Sequence, residues 1–116
     1  KIGILGLTFK ENCPDLRNTK VIDIVDNLKK YNCDLFISDP YADQKEAMNQ
    51  LGIELYPLDK IKNLDSLIIA VAHDAYKENK ITNWNNLLKS NGVIIDVKSI
   101  YEKDTFSKTK FIHWRL

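Results

Sequence analysis

Cysteine is scarce in this chain: Cys13 and Cys33 are the only two in 116 residues. Two thiols 20 positions apart make no disulfide framework, and a reducing compartment is the simpler setting. Glycine is sparse as well, at four residues. No apolar run approaches the roughly 18 residues that span a bilayer. No leader pattern of positive, apolar and small residues opens the chain. An excess of either charge is also missing, since 17 Lys and Arg stand against 16 Asp and Glu for a net +1. That balance excludes a strongly basic nucleic-acid binder and an acidic solvating tail. Internal repeats and low-complexity segments are absent. What is there is 44% hydrophobic and 28% charged, the composition of an ordinary soluble globule, so a cytoplasmic protein is expected. The length suits one domain that buries about two-thirds of its unfolded surface without staples.

The chain opens Lys1-Ile2-Gly3-Ile4-Leu5-Gly6, already inside a strand-like run, and its single methionine is Met48. It therefore reads as a piece of a longer protein.

Apolar runs and helical patterns alternate along the chain. Ile2–Leu7, Cys33–Ser38, Ile53–Tyr56, Leu67–Ala72 and Val93–Val97 read as buried strands, and Phe111–Trp114 as a short final one. Val21, Ile24, Val25 and Leu28 follow the i, i+3, i+4, i+7 spacing of a helix that Asn18 or Thr19 can cap. Ala42–Leu51 reads as a helix ending at Gly52. Leu58–Asn63 fits a single helical turn, and Thr82 or Asn83 begins a short helix with Trp84, Leu87 and Leu88. Strands separated by helices give βαβ units. The fold class is α/β: a doubly wound, mostly parallel sheet with helices on both faces, a Rossmann-like three-layer sandwich. Such sheets bind ligands at the carboxyl ends of their strands, near the switch in strand order. The residues of interest are those that follow each strand.

The first such loop is Thr8 to Thr19. Gly3 and Gly6 are followed by no third glycine, so the GxGxxG dinucleotide fingerprint is incomplete. The loop instead offers Lys10 and Arg17 beside the amino end of a helix, an arrangement suited to an anion. The alternative is a solvated loop in which Arg17 pairs with Asp15 or Glu11. Asp39 follows the second strand, where dinucleotide folds place an acid for ribose hydroxyls; it can equally end the strand and cap the next turn. His73 ends the central strand and is open to a proton-transfer role or to a hydrogen bond with nearby backbone. Cys13 has cations nearby but no positioned base, and Pro14 follows it. No catalytic residue is assigned. The Cys and His residues lack metal-ligand spacing, so no metal is assigned either. His113, Trp84 and Trp114 are expected to pack. Lys98, after the last confident strand, is a third cation at the ligand edge, which points to a local anionic ligand.

GLTFKENCPDLRNT, DP after the second strand, AVAHD and DVKSIY together resemble the C-terminal UDP-binding domain of the UDP-glucose/GDP-mannose dehydrogenases, over roughly residues 1–105. The first loop is most similar to the branch that oxidises UDP-N-acetylhexosamines for surface polysaccharides, as in Vi-antigen synthesis. The resemblance implies a fragment, 1–116, of a dimeric enzyme with an N-terminal NAD-binding domain and a helical middle region. That enzyme takes the sugar C6 alcohol to a carboxylate in two NAD-linked steps through a cysteine-bound intermediate. By the same resemblance Phe9, Lys10 and Lys98 contact the nucleotide sugar and Arg17 reaches the NAD. The family's nucleophile lies before this domain, so neither Cys13 nor Cys33 inherits that role. The partners implied are a UDP-sugar and the other domains of the chain, with no nucleic acid and no membrane. Two rivals are a stand-alone nucleotide-binding or regulatory module without catalysis, and an NAD-binding half of another oxidoreductase. The incomplete glycine fingerprint stands against the second.

Overall fold

Parallel strands must be connected over a sheet face, so each strand here is followed by a covering segment. The structure, a computed structural model, describes residues 1–77 and 80–116. Its elements run β1 (Ile2–Leu5), α1 (Val21–Lys29), β2 (Leu35–Ser38), α2 (Gln44–Leu51), β3 (Leu64–Ile69), α3 (Trp84–Leu87), β4 (Leu88–Asp96) and β5 (Ile112–Arg115). The five strands form one sheet in the order β2-β1-β3-β4-β5, and every pairing is parallel. The order reverses between β1 and β3, which sets the switch point at their carboxyl ends. No helix among the described residues is long and apolar enough to cross a membrane.

Successive strand residues point to opposite faces, and the apolar runs feed two cores. Ile4, Ile37 and Ile68 face Val21 and Val25 of α1 and Ala47 of α2. Leu5, Leu67, Ile69 and Ile94 face α3, the turn at Asp74–Tyr76 and the segment around Tyr101 and Phe106. Helices α1 and α2 thus cover one face, and short turns, α3 and an aromatic layer cover the other. Full burial of each such aliphatic side chain contributes about 1.5–3 kcal/mol. Trp84 packs as expected, edge-on to Phe106 at 5.0 Å and to Tyr101 at 5.8 Å between ring centroids.

Several element boundaries differ from those expected. The strand expected at Ile53–Tyr56 is reduced to one bridge, Leu55 to Ile37. Gly52, at φ 67°, ends α2, and Pro57 has no donor to extend a ladder. Helix α1 begins at Val21 because Asn18 sits in the left-handed region at φ 61°, while the Thr19 hydroxyl accepts the Val21 N–H at 3.2 Å. Helix α2 begins at Gln44, with Asp43 accepting the Glu46 N–H at 3.0 Å as its cap. Strand β4 starts directly after α3, at Leu88, because Leu88 pairs with Leu64 across an irregular register. Trp114 does not pack: it lies on the edge strand with Ile112, 51% and 56% exposed. His113, on the opposite face of β5, does pack, and its Nε2 lies 3.2 Å from Asp96 Oδ2.

Candidate functional site

Gly6 sits at φ +99°, and a Cβ there would lie 2.5 Å from the Cβ of Val71. The glycine therefore serves the close approach of β1 to the end of β3 rather than a phosphate turn. Past it, the chain swings out as the Thr8–Thr19 loop. Phe9 to Glu11 of that loop, Thr19 to Val21 at the start of α1, Ala70 and Val71 after β3, and Lys98 after β4 line one cleft of about 230 Å³. It lies at the sheet's switch point. Lys10, Lys20 and Lys98 bring three cations to it, with Glu11 the one acid among the described residues that line it, and Phe9 offers a ring that is 54% exposed. The amino end of α1 adds its partial positive charge. An anion with an attached planar or polar group fits such a cleft.

Two buried carboxylates hold the loops that carry the cleft. Asp39, at the end of β2, accepts five hydrogen bonds. Its Oδ2 takes the N–H groups of Leu7 (2.6 Å) and Thr8 (3.0 Å) and faces His73 Nε2 at 2.9 Å. Its Oδ1 takes the N–H groups of Tyr41 (2.7 Å) and Ala42 (3.2 Å). Burial pushes this carboxyl up, but the hydrogen bonds from His73, Leu7, Tyr41 and Thr8 outweigh it and hold the group below the usual aspartate value. Asp96, at the end of β4, accepts from the N–H groups of Ile100 (3.0 Å) and Tyr101 (2.9 Å) and thereby shapes the turn that presents Lys98.

His73 is fully buried. The backbone N–H of Asn12 points at its Nδ1 at 2.9 Å, so that nitrogen is the acceptor and Nε2 carries the hydrogen toward Asp39. Tyr41 lies over the ring at 4.7 Å between centroids. Having no exposure to the cleft, His73 is the hydrogen-bonded strand-end histidine of the two openings the sequence left. Asp39 likewise caps the turn that follows β2 and has its acceptors occupied.

The UDP binding domain of the UDP-glucose/GDP-mannose dehydrogenase family matches residues 3–103. The chain belongs to this family. Protein CapL of Staphylococcus aureus is 43% identical over 115 residues, which are 99% of this chain and 27% of that protein. A UDP-N-acetyl-D-glucosamine 6-dehydrogenase of Pseudomonas aeruginosa is 40% identical over 104 residues, 90% of this chain and 25% of that protein. The crystal structure of an NDP-N-acetyl-D-galactosaminuronic acid dehydrogenase from Methanosarcina mazei Go1 matches with a TM-score of 0.78 at 25% identity, covering 98% of this chain and 24% of that one. The chain therefore spans about a quarter of the length of the curated relatives it matches.

Within this UDP binding domain, Phe9, Lys10 and Lys98 share the cleft, and Arg17 does not. Arg17 lines a neighbouring crevice with Cys13, Asp15, Asp43 and Glu46. Its Nε and Nη2 donate to the two oxygens of Asp15 at 3.0 and 3.2 Å, and its side chain is 82% exposed. The Arg17 guanidinium holds the Asp15 carboxyl below its ordinary value. Sequence reasoning missed Lys20 as a cleft residue and missed both Asp–His pairs. The available signal was position: Asp39, His73 and Asp96 are all polar residues at the end of a buried strand, where a parallel sheet lines them up.

Proposed function

We propose that the cleft holds the UDP end of a UDP-sugar, with Lys10 and Lys98 against the diphosphate and Phe9 against the nucleotide sugar. The domain would then anchor the substrate of an NAD-dependent UDP-N-acetylhexosamine or UDP-glucose 6-dehydrogenase, which oxidises the sugar C6 alcohol to a carboxylate for surface polysaccharide. The observation that carries this reading is the convergence of Lys10 and Lys98, from loops after the first and fourth strands, on one cleft at the switch point. The family and the relatives' names agree with it. Anchoring the remote end of a substrate contributes to catalysis by positioning the reacting end elsewhere.

A bound NAD does not fit this domain's own residues. Gly6 is used for packing against Val71, and the Asp39 oxygens that a ribose would need are already occupied. We assign NAD to the remainder of such an enzyme, with Arg17, exposed on its separate crevice, as this domain's one contribution to it. The test is calorimetric titration of the chain with UDP in about 10 mM and about 100 mM salt, which shortens the screening length from about 30 to about 10 Å. Binding that weakens with salt, and weakens by about 10- to 100-fold in Lys10→Ala as for a lost charge-assisted hydrogen bond, is the expected result. Salt-independent binding would refute the ion-pair reading.

A further inference from the structure

We propose that His73 is a positioning residue for the cleft, setting where Lys10 projects although it touches no ligand itself. This rests on the assignment of Lys10 to the diphosphate. The Lys10 loop has no strand or helix of its own to give it shape. It is gripped on both sides of Lys10 by one imidazole. On the far side, His73 Nδ1 accepts the Asn12 N–H at 2.9 Å. On the near side, Thr8 Oγ1 lies 3.2 Å from His73 Nε2, sharing that nitrogen's single hydrogen with Asp39 Oδ2, and donates its own proton to the Lys10 carbonyl at 3.0 Å. Asn12 turns the chain at φ 56°, and its Oδ1 accepts the N–H of Asp74, the residue after His73, at 2.9 Å.

The imidazole is held in turn. Asp39 Oδ2 fixes Nε2 at 2.9 Å, and the rings of Tyr41 and Tyr76 lie at 4.7 and 5.5 Å from it. It is fully buried and is not among the residues that line the cleft. A buried donor–acceptor chain of this kind can transmit a displacement of the strand end to the Lys10 backbone, because the groups along it have specific partners. Loss of the ring would leave the Asn12 N–H without an acceptor and let the segment from Phe9 to Glu11 move.

A double-mutant cycle on the full-length protein that carries this chain separates positioning from mere stabilisation. The probe is UDP, titrated into the wild type, Lys10→Ala, His73→Ala and the double variant, each shown to be folded by circular dichroism. If His73 acts through Lys10, His73→Ala weakens UDP binding by roughly tenfold in the wild-type background and by less than about twofold when Lys10 is already gone. Equal losses in both backgrounds, or no loss in a folded His73→Ala protein, would overturn the inference. If Lys10→Ala alone leaves UDP affinity unchanged, the assignment of Lys10 to the diphosphate fails, and the positioning inference falls with it. Should His73→Ala not fold, Thr8→Val removes the hydroxyl that joins His73 Nε2 to the Lys10 carbonyl and keeps the imidazole and its Asp39 contact. The same cycle with that variant carries the same expected and refuting outcomes.

Discussion

Replacing Asp39 with Asn exchanges one heavy atom and leaves the shape of the side chain intact, yet it strikes the group on which three loops depend. Each carboxylate oxygen faces donors only: Leu7, Thr8 and His73 on one side, Tyr41 and Ala42 on the other. An amide has one acceptor oxygen, so its NH2 must face one of these sets. The less costly orientation gives up Tyr41 and Ala42. Leaving a buried N–H without a partner costs about 1–3 kcal/mol, and because these two are only part-buried each falls toward the low end, about 2–3 kcal/mol together. With urea slopes of about 1–3 kcal/mol per molar for small domains, the unfolding midpoint at pH 7 should fall by about 1–3 M. Fluorescence of Trp84 and Trp114 reports the transition. The pH dependence gives a second reading. Because the folded carboxyl is held below its ordinary value, its stabilising effect is complete above the unfolded value of about 3.9 and is lost as pH falls through the folded value. The gap between wild type and Asp39→Asn should therefore narrow below about pH 4. Equal midpoints at pH 7, or a gap that stays constant into acid, would refute the reasoning.

Gly6→Ala, with its positive φ and a Cβ placed 2.5 Å from the Cβ of Val71, should destabilise the domain by about 2–4 kcal/mol and lower its melting temperature by on the order of 10 °C in calorimetry. Arg17→Ala should leave UDP affinity of the chain unchanged, since the guanidinium is outside the cleft, and should raise the KM for NAD in the dehydrogenase that carries it; steady-state kinetics with each substrate varied distinguishes the two. The chain alone should not reduce NAD with any UDP-sugar, because it offers neither a dinucleotide cradle nor an assigned nucleophile. Absorbance at the NADH band is the check, and turnover above a no-protein blank would contradict it.

The sheet was legible because buried parallel strands leave continuous apolar runs, and β1, β2, β3, β5 and the second half of β4 from Val93 each fall in or beside such a run. Its edges were less so. Ala70 and Val71 belong to the most apolar run, yet their N–H groups both turn to the Leu5 carbonyl at 2.9 and 3.4 Å, and the two residues floor the cleft instead of extending β3. Leu88 carries a helical spacing but is drawn into β4 by its partner Leu64, a tertiary contact that no local pattern records. Trp114 has a core residue's composition and a rim residue's place, because nothing pairs with the outer side of β5 within the sheet. In the site, Lys10 and Lys98 were visible as cations following strands, and Lys20, at the start of α1, was not. The Asp39–His73 link joins residues 34 apart and depends on β2, β1 and β3 ending side by side, which only the strand order supplies.

The wiring of the sheet has an outcome for folding as well as for recognition. Lys10 leaves β1 and Lys98 leaves β4, with β3 between them, so these three strands must be in register before the two ammonium groups share a crevice. A ligand bridging them would bind only once these three strands are assembled, and at a hundred times its dissociation constant it would deepen the native well by about 2.7 kcal/mol. Such a ligand would then act as a late staple, holding β1, β3 and β4 together at their carboxyl ends.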